Sequence, residues 1–129
     1  MGKRQSWLQW MPMIRVYVYD KCSTCRNAVK WLEERGIEHE TRPIRETPPS
    51  ERELRTMLGH LGGELRKLFN TSGMDYRAMG LKDQLPDLSE KEAFALLRGN
   101  GILVKRPFLL GEGVGLVGFR EKQWDEALG

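Results

Sequence analysis

Hydrophobic and polar positions alternate along Ile14-Arg15-Val16-Tyr17-Val18-Tyr19, a run rich in β-branched and aromatic residues, which predicts a β-strand closed by Asp20-Lys21. From Ser23 or Thr24 to Arg35 the period lengthens. Ala28, Val29, Trp31 and Leu32 form an apolar stripe, with Lys30, Glu33, Glu34 and Arg35 outside it, as in an amphipathic helix stopped by Gly36. Ile37 to Ile44 predicts a second, more polar strand, and Pro43 near its end places it at a sheet edge or a break. Thr47-Pro48-Pro49-Ser50 is a turn, and Ser50 with Glu53 forms a capping box for a helix to about Leu58, where Gly59, Gly62 and Gly63 interrupt.

Further along, Glu64 to Phe69 reads as a short helical piece, and Tyr76, Met79 and Leu81 support another turn of helix. Ser89 and Glu92 make a second capping box, opening a helix to about Arg98 that Asn100-Gly101 ends. Phe108-Leu109-Leu110 and the run Val114 to Phe119, joined across Gly111-Glu112-Gly113, predict a β-hairpin. In the last stretch, Glu121 to Leu128, Trp124 and Leu128 stand at helical spacing. The order β-α-β, helices, β-β-α predicts a mixed α/β fold with a βαβ half and a ββα half, flanking a helical insert over about residues 48–103. Residues 13–128 are expected to form a single domain and residues 1–12 an N-terminal extension, with Met13 as an alternative start.

Composition narrows the classes. The chain has 129 residues, 40% hydrophobic and 30% charged, which is ordinary for one globular domain. No apolar run approaches the roughly 18–20 residues of a membrane span, and residues 1–12 lack the apolar core of a secretory signal. A cytoplasmic, reducing compartment is therefore expected. The net charge of +3 is too small for a nucleic-acid footprint, so direct nucleic-acid binding is not expected. The basic excess is concentrated in residues 1–45, which hold nine Lys/Arg against five Asp/Glu. That third of the chain also carries both cysteines.

Cys22-Ser23-Thr24-Cys25 stands where the first strand ends and the first helix begins. A thiolate is stabilised by the free N–H groups and positive end of a helix N-terminus, and Lys21 and Arg26 act in the same direction. One turn along, a second thiol can attack a mixed disulfide formed on the first. Cys22 is accordingly assigned as nucleophile, Cys25 as resolving thiol, and Arg26 as a cation that lowers the thiol pKa. Two other readings stay open: half of a zinc site, with only His39 and His60 as further ligands, and a pair of inert buried cysteines.

Cys22-Ser23-Thr24-Cys25-Arg26-Asn27, the element order, and Lys105-Arg106-Pro107-Phe108-Leu109 together resemble the arsenate reductase (ArsC)/Spx-type family of thioredoxin-like proteins, over about residues 13–128. The resemblance implies a thioredoxin-like sheet with a helical insertion and makes Pro107 a cis-proline beside the active cysteine. It implies that Cys22 attacks an oxyanion or a disulfide. Arg106 and Arg66, with Ser23 and Thr24 at the helix N-terminus, would then bind the anionic substrate. Two departures point away from dedicated arsenate reduction: Gly111 to Gly118 contains no arginine, and Cys25 stands where those reductases have serine. No bound cofactor or metal is expected. The electron donor would be glutathione or a thioredoxin/glutaredoxin partner. The alternative function implied by the resemblance is a Spx-type redox-sensing regulator that binds RNA polymerase, with Gly59, Gly62 and Gly63 in the candidate contact surface.

Overall fold

A computed structural model of the chain describes residues 14–129, so the extension expected over residues 1–12 lies outside the described residues. Strand β1 runs Ile14–Val18, helix α1 Ser23–Glu34 and strand β2 His39–Pro43. The first helix buries Cys25, Ala28, Trp31 and Leu32, while Val29, expected in the same stripe, is half-buried. It ends at Arg35, followed by Gly36 at φ 66°. β2 pairs with β1 in parallel, Val16 opposite Thr41, and lies at the sheet edge, where the missing N–H of Pro43 costs no ladder bond.

The chain then builds the insert: α2 (Glu51–His60), a 3-10 turn (Leu65–Leu68), α3 (Met74–Ala78), α4 (Leu81–Gln84), a second 3-10 turn (Leu85–Asp87), α5 (Glu90–Gly99) and a third 3-10 turn (Gly101–Leu103). Both capping boxes form. Ser50 Oγ accepts the Glu53 N–H at 3.1 Å while Glu53 Oε1 accepts the Ser50 N–H at 2.9 Å, and Ser89 and Glu92 repeat the pattern at the same distances. Helix α2 continues past its expected end. Gly59 sits inside it, and the stop comes from Gly62 and Gly63 at φ 70° and 81°, whose N–H groups reach back to the carbonyls of Gly59 and Leu58.

Strands β3 (Phe108–Gly111) and β4 (Val114–Val117) form the hairpin, and α6 (Glu121–Leu128) closes the chain. The sheet order is β2-β1-β3-β4, with β3 antiparallel to β1, Val16 opposite Leu109, and β4 antiparallel to β3, Leu109 opposite Leu116.

Strand geometry sends neighbouring side chains to opposite faces, and this divides the apolar residues into two cores. Val16, Leu109 and Leu116 pack with Ala28, Trp31 and Leu32 of α1 and Trp124 of α6. Tyr17 and Phe108, one step along the same strands, pack instead with the insert, among them Leu54, Met57, Phe69, Phe94 and Leu97. The insert is thus the second layer of the molecule and covers a sheet face that would otherwise be apolar and wet. Among the described residues no helix is long and apolar enough to cross a membrane.

Candidate active site

The site begins where β1 leaves the sheet. Tyr19, expected as the last strand residue, lies one step beyond Val18, and its carbonyl accepts the Cys22 N–H at 3.0 Å, closing a tight turn. Cys22 is the N-cap of α1, with extended backbone (φ −106°, ψ 113°), and its carbonyl takes the first helical bond from the Arg26 N–H at 3.1 Å. No side-chain oxygen caps the helix start. The N–H groups of the first turn, which have no partner within a helix, are therefore open to the sulfur, and that turn contains no acidic residue to compete for them.

Both cysteines are free thiols. Cys22 is partly exposed, whereas Cys25, one turn in, is 1% exposed. Ser23 and Thr24 between them are exposed. Burial opposes ionisation of Cys22. It is outweighed by the hydrogen-bonding groups of Cys25, backbone N–H first and then thiol, and by the charge and N–H of Arg106, so the thiol is held below its ordinary pKa. Cys25 moves the opposite way: burial raises its pKa, and the Cys22 sulfur raises it further against a partial offset from the Tyr19 N–H. The outer thiol therefore ionises more readily than the inner one.

Arg106 reaches this place through the β1–β3 pairing, which sets the residues preceding Phe108 beside the end of β1. The Arg106–Pro107 bond is cis, and Pro107 is buried. The Arg106 Nη1 donates to the Ile102 carbonyl at 2.9 Å, its Cζ lies 5.1 Å from the centre of the Tyr19 ring, and its Nε is buried without a hydrogen-bond partner. A buried guanidinium N–H left free is costly unless something else takes it, and an anionic group at Cys22 is suited to do so.

The other cations expected here are placed differently. Arg26 donates through Nη1 to the Asp20 carbonyl at 2.7 Å, bracing the turn that carries Cys22, while the charge acting on the sulfur is that of Arg106. Arg66 is exposed on the first 3-10 turn and lines a cleft of about 670 Å³ with Gly63, Leu65, Thr71, Tyr76 and Lys82, a lining that includes neither cysteine nor Arg106. Backbone pairing nonetheless ties its segment to that of Arg106: the Lys105 N–H donates to the Leu68 carbonyl at 2.8 Å and the Asn70 N–H to the Leu103 carbonyl at 2.7 Å. His39 turns its Nδ1 to the Ile37 carbonyl, and His60 stands at the end of α2 against Gly115 of β4. Among the described residues no three His, Cys, Asp or Glu side chains gather as a metal-ligand set. The residue that sequence reasoning missed is Tyr19. An aromatic at the end of an alternating run signals a strand, and nothing local tells that its ring meets a distant arginine.

A family model described as the ArsC family matches residues 17–127. The protein YusI of Bacillus subtilis (strain 168) is 50% identical over 111 residues, 85% of this chain and 93% of YusI. An arsenate reductase of Neisseria meningitidis serogroup A / serotype 4A is 31% identical over 109 residues, 84% of this chain and 92% of that protein. The global transcriptional regulator Spx of Listeria innocua serovar 6a is 27% identical over 111 residues, 86% of this chain and 83% of Spx. A solved structure of a possible arsenate reductase from Streptococcus mutans UA159 superposes with a TM-score of 0.80 at 43% identity, covering 88% of this chain and 98% of that one.

Proposed function

The chain belongs to the ArsC family and has the thioredoxin-like fold of its relatives, and from that premise we propose that it is a thiol–disulfide redox protein in which Cys22 attacks and Cys25 resolves. The observation that carries the reading is the opposite character of the two thiols, with Cys22 at the helix N-cap beside Arg106 and Cys25 buried one turn in. The Cys22 thiolate attacks one sulfur of a disulfide substrate, forming a mixed disulfide and expelling the other sulfur as a thiolate, which Arg106 helps to stabilise. Cys25, on losing its proton, attacks the Cys22 sulfur. It expels the second substrate thiolate and leaves a Cys22–Cys25 disulfide. Two electrons pass from the cysteine pair to the substrate, and glutathione or a thioredoxin-type dithiol returns them. The same pocket would take an oxyanion. Ser23 and Thr24 at the helix mouth, Arg106, and Arg66 if its side chain swings from the insert cleft, are the groups to hold it.

The test is a small disulfide such as bis(2-hydroxyethyl) disulfide, followed by mass spectrometry of the protein. Wild type should end as the intramolecular disulfide, Cys25→Ser should accumulate a mixed disulfide on Cys22, and Cys22→Ser should be inert. Reaction of Cys22→Ser at the wild-type rate would sink the reading. A parallel assay with arsenate and either glutathione or thioredoxin decides the substrate. The Cys-x-x-Cys-Arg form and the likeness to Spx favour a second reading, a regulator whose Cys22–Cys25 disulfide changes its affinity for RNA polymerase. Oxidation-dependent binding to polymerase, with no turnover of either substrate, would select it.

A further inference from the structure

Arg106 is held by little of its own hydrogen bonding. Its Nη1 is fixed on the Ile102 carbonyl, but its Nε lies buried and unpartnered. Among the described residues its N–H groups go to that carbonyl and to the Cys22 sulfur, and neither covers its planar face. The guanidinium carbon lies over the Tyr19 ring, 5.1 Å from its centre. Tyr19 itself is anchored on several sides. Its ring packs against the insert-side core, its carbonyl holds the Cys22 N–H at 3.0 Å, and the preceding Val18 carbonyl holds the Ile44 N–H at 2.8 Å. The same residue thus touches the backbone of the outer cysteine and the face of the arginine.

We propose that Tyr19 is a positioning residue of the thiol site: its ring supports the Arg106 guanidinium beside Cys22, so that the unpartnered Nε–H is kept for the sulfur or for an anionic group bound at it. The inference rests on the reading of Cys22 as the attacking thiol. Stacking of a planar cation on an aromatic face is a role that arginine fills and lysine does not. The contact is made by the ring, so the ring and not the hydroxyl performs it.

The experiment is the pH profile of Cys22 alkylation by iodoacetamide in the full chain, with the modified cysteine located by mass spectrometry. Tyr19→Phe, which keeps the ring, should retain the wild-type midpoint. Tyr19→Leu should raise the midpoint by about half to one pH unit. The same change in an Arg106→Gln background should have no further effect, because the tyrosine acts through the arginine. Should Tyr19→Leu fail to fold, Arg106→Lys probes the contact from the other side: it keeps a positive charge, removes the stacked plane, and should also raise the midpoint. A lowered wild-type midpoint that both Tyr19→Leu and Arg106→Lys leave in place overturns the inference and spares the reading of Cys22. An equal shift from Tyr19→Leu with and without Arg106 overturns it too, showing that the ring acts on the cysteine turn directly. A wild-type midpoint at the free-cysteine value of about 8.5 overturns the reading itself, and the inference with it.

Discussion

Cys22 and Cys25 share a motif and differ in everything that decides reactivity. The outer thiol sits at the N-cap of α1 beside Arg106, and the inner one is buried one turn in. Because the folded chain lowers the Cys22 pKa, its thiolate persists to a lower pH than a free cysteine's. Iodoacetamide at pH 7 should therefore modify Cys22 well ahead of Cys25, and peptide mapping of partially alkylated protein checks this. Arg106→Gln should move the midpoint of Cys22 alkylation upward, towards about 8.5, because it removes the opposing charge while burial remains. The motif was legible in the sequence, since the strand-to-helix junction and the two cysteines lie within a few residues of one another. Arg26 shows the limit of that reading. Proximity in sequence made it a candidate cation for the sulfur, yet its guanidinium is turned onto the Asp20 carbonyl.

Helix α2 is where the insert is fastened to the sheet. Glu53 at its third position closes the capping box, accepts the Tyr17 hydroxyl at 2.7 Å and pairs with Arg15 at 3.0 Å, so one carboxylate links a helix start to two residues of β1. Burial works against that charge but is outweighed by the Ser50 N–H, the Tyr17 hydroxyl and Arg15, leaving Glu53 below the usual carboxylate range. A depressed pKa contributes stability that is present above the unfolded value of about 4.3. That stability is lost as pH falls through the folded value. Glu53→Gln should cost about 1–3 kcal/mol at pH 7, and the difference from wild type in urea unfolding should shrink at pH 3. The insert's exit is fastened by shape. A Cβ on Gly101 would overlap the Ile44 carbonyl oxygen, so Gly101→Ala should lower the thermal midpoint, whereas Gly99→Ala, where a Cβ meets open space, should not. The capping boxes were readable because their partners are three residues apart. The exact end of α2 is not legible in the sequence because Gly59 and Gly62 look alike there. Only the chain path after the helix shows which of them takes the positive φ.

For the molecule as a whole, the sheet is enclosed by two unlike layers, α1 with α6 on one face and the insert on the other. Trp124 joins the last helix to the first core: it is fully buried, meets Trp31 edge to face at 5.9 Å, and donates its Nε1 hydrogen to the Gly118 carbonyl at 3.1 Å. Trp124→Ala should destabilise the chain by about 3–5 kcal/mol, measurable by denaturant unfolding. The sequence by itself determined the order of elements, the two capping boxes and the cysteine pair, because each is encoded by residues a few positions apart whose period or spacing is a local physical constraint. The tertiary structure alone decided that the Arg106 charge acts on Cys22, that Tyr19 lies beneath the guanidinium, and that Arg66 faces the insert cleft. Those placements follow from the β1–β3 register and from the pairing of Phe69 with Val104. They are contacts between segments far apart in the chain, settled by how two apolar faces of one sheet are covered and carried by no local pattern.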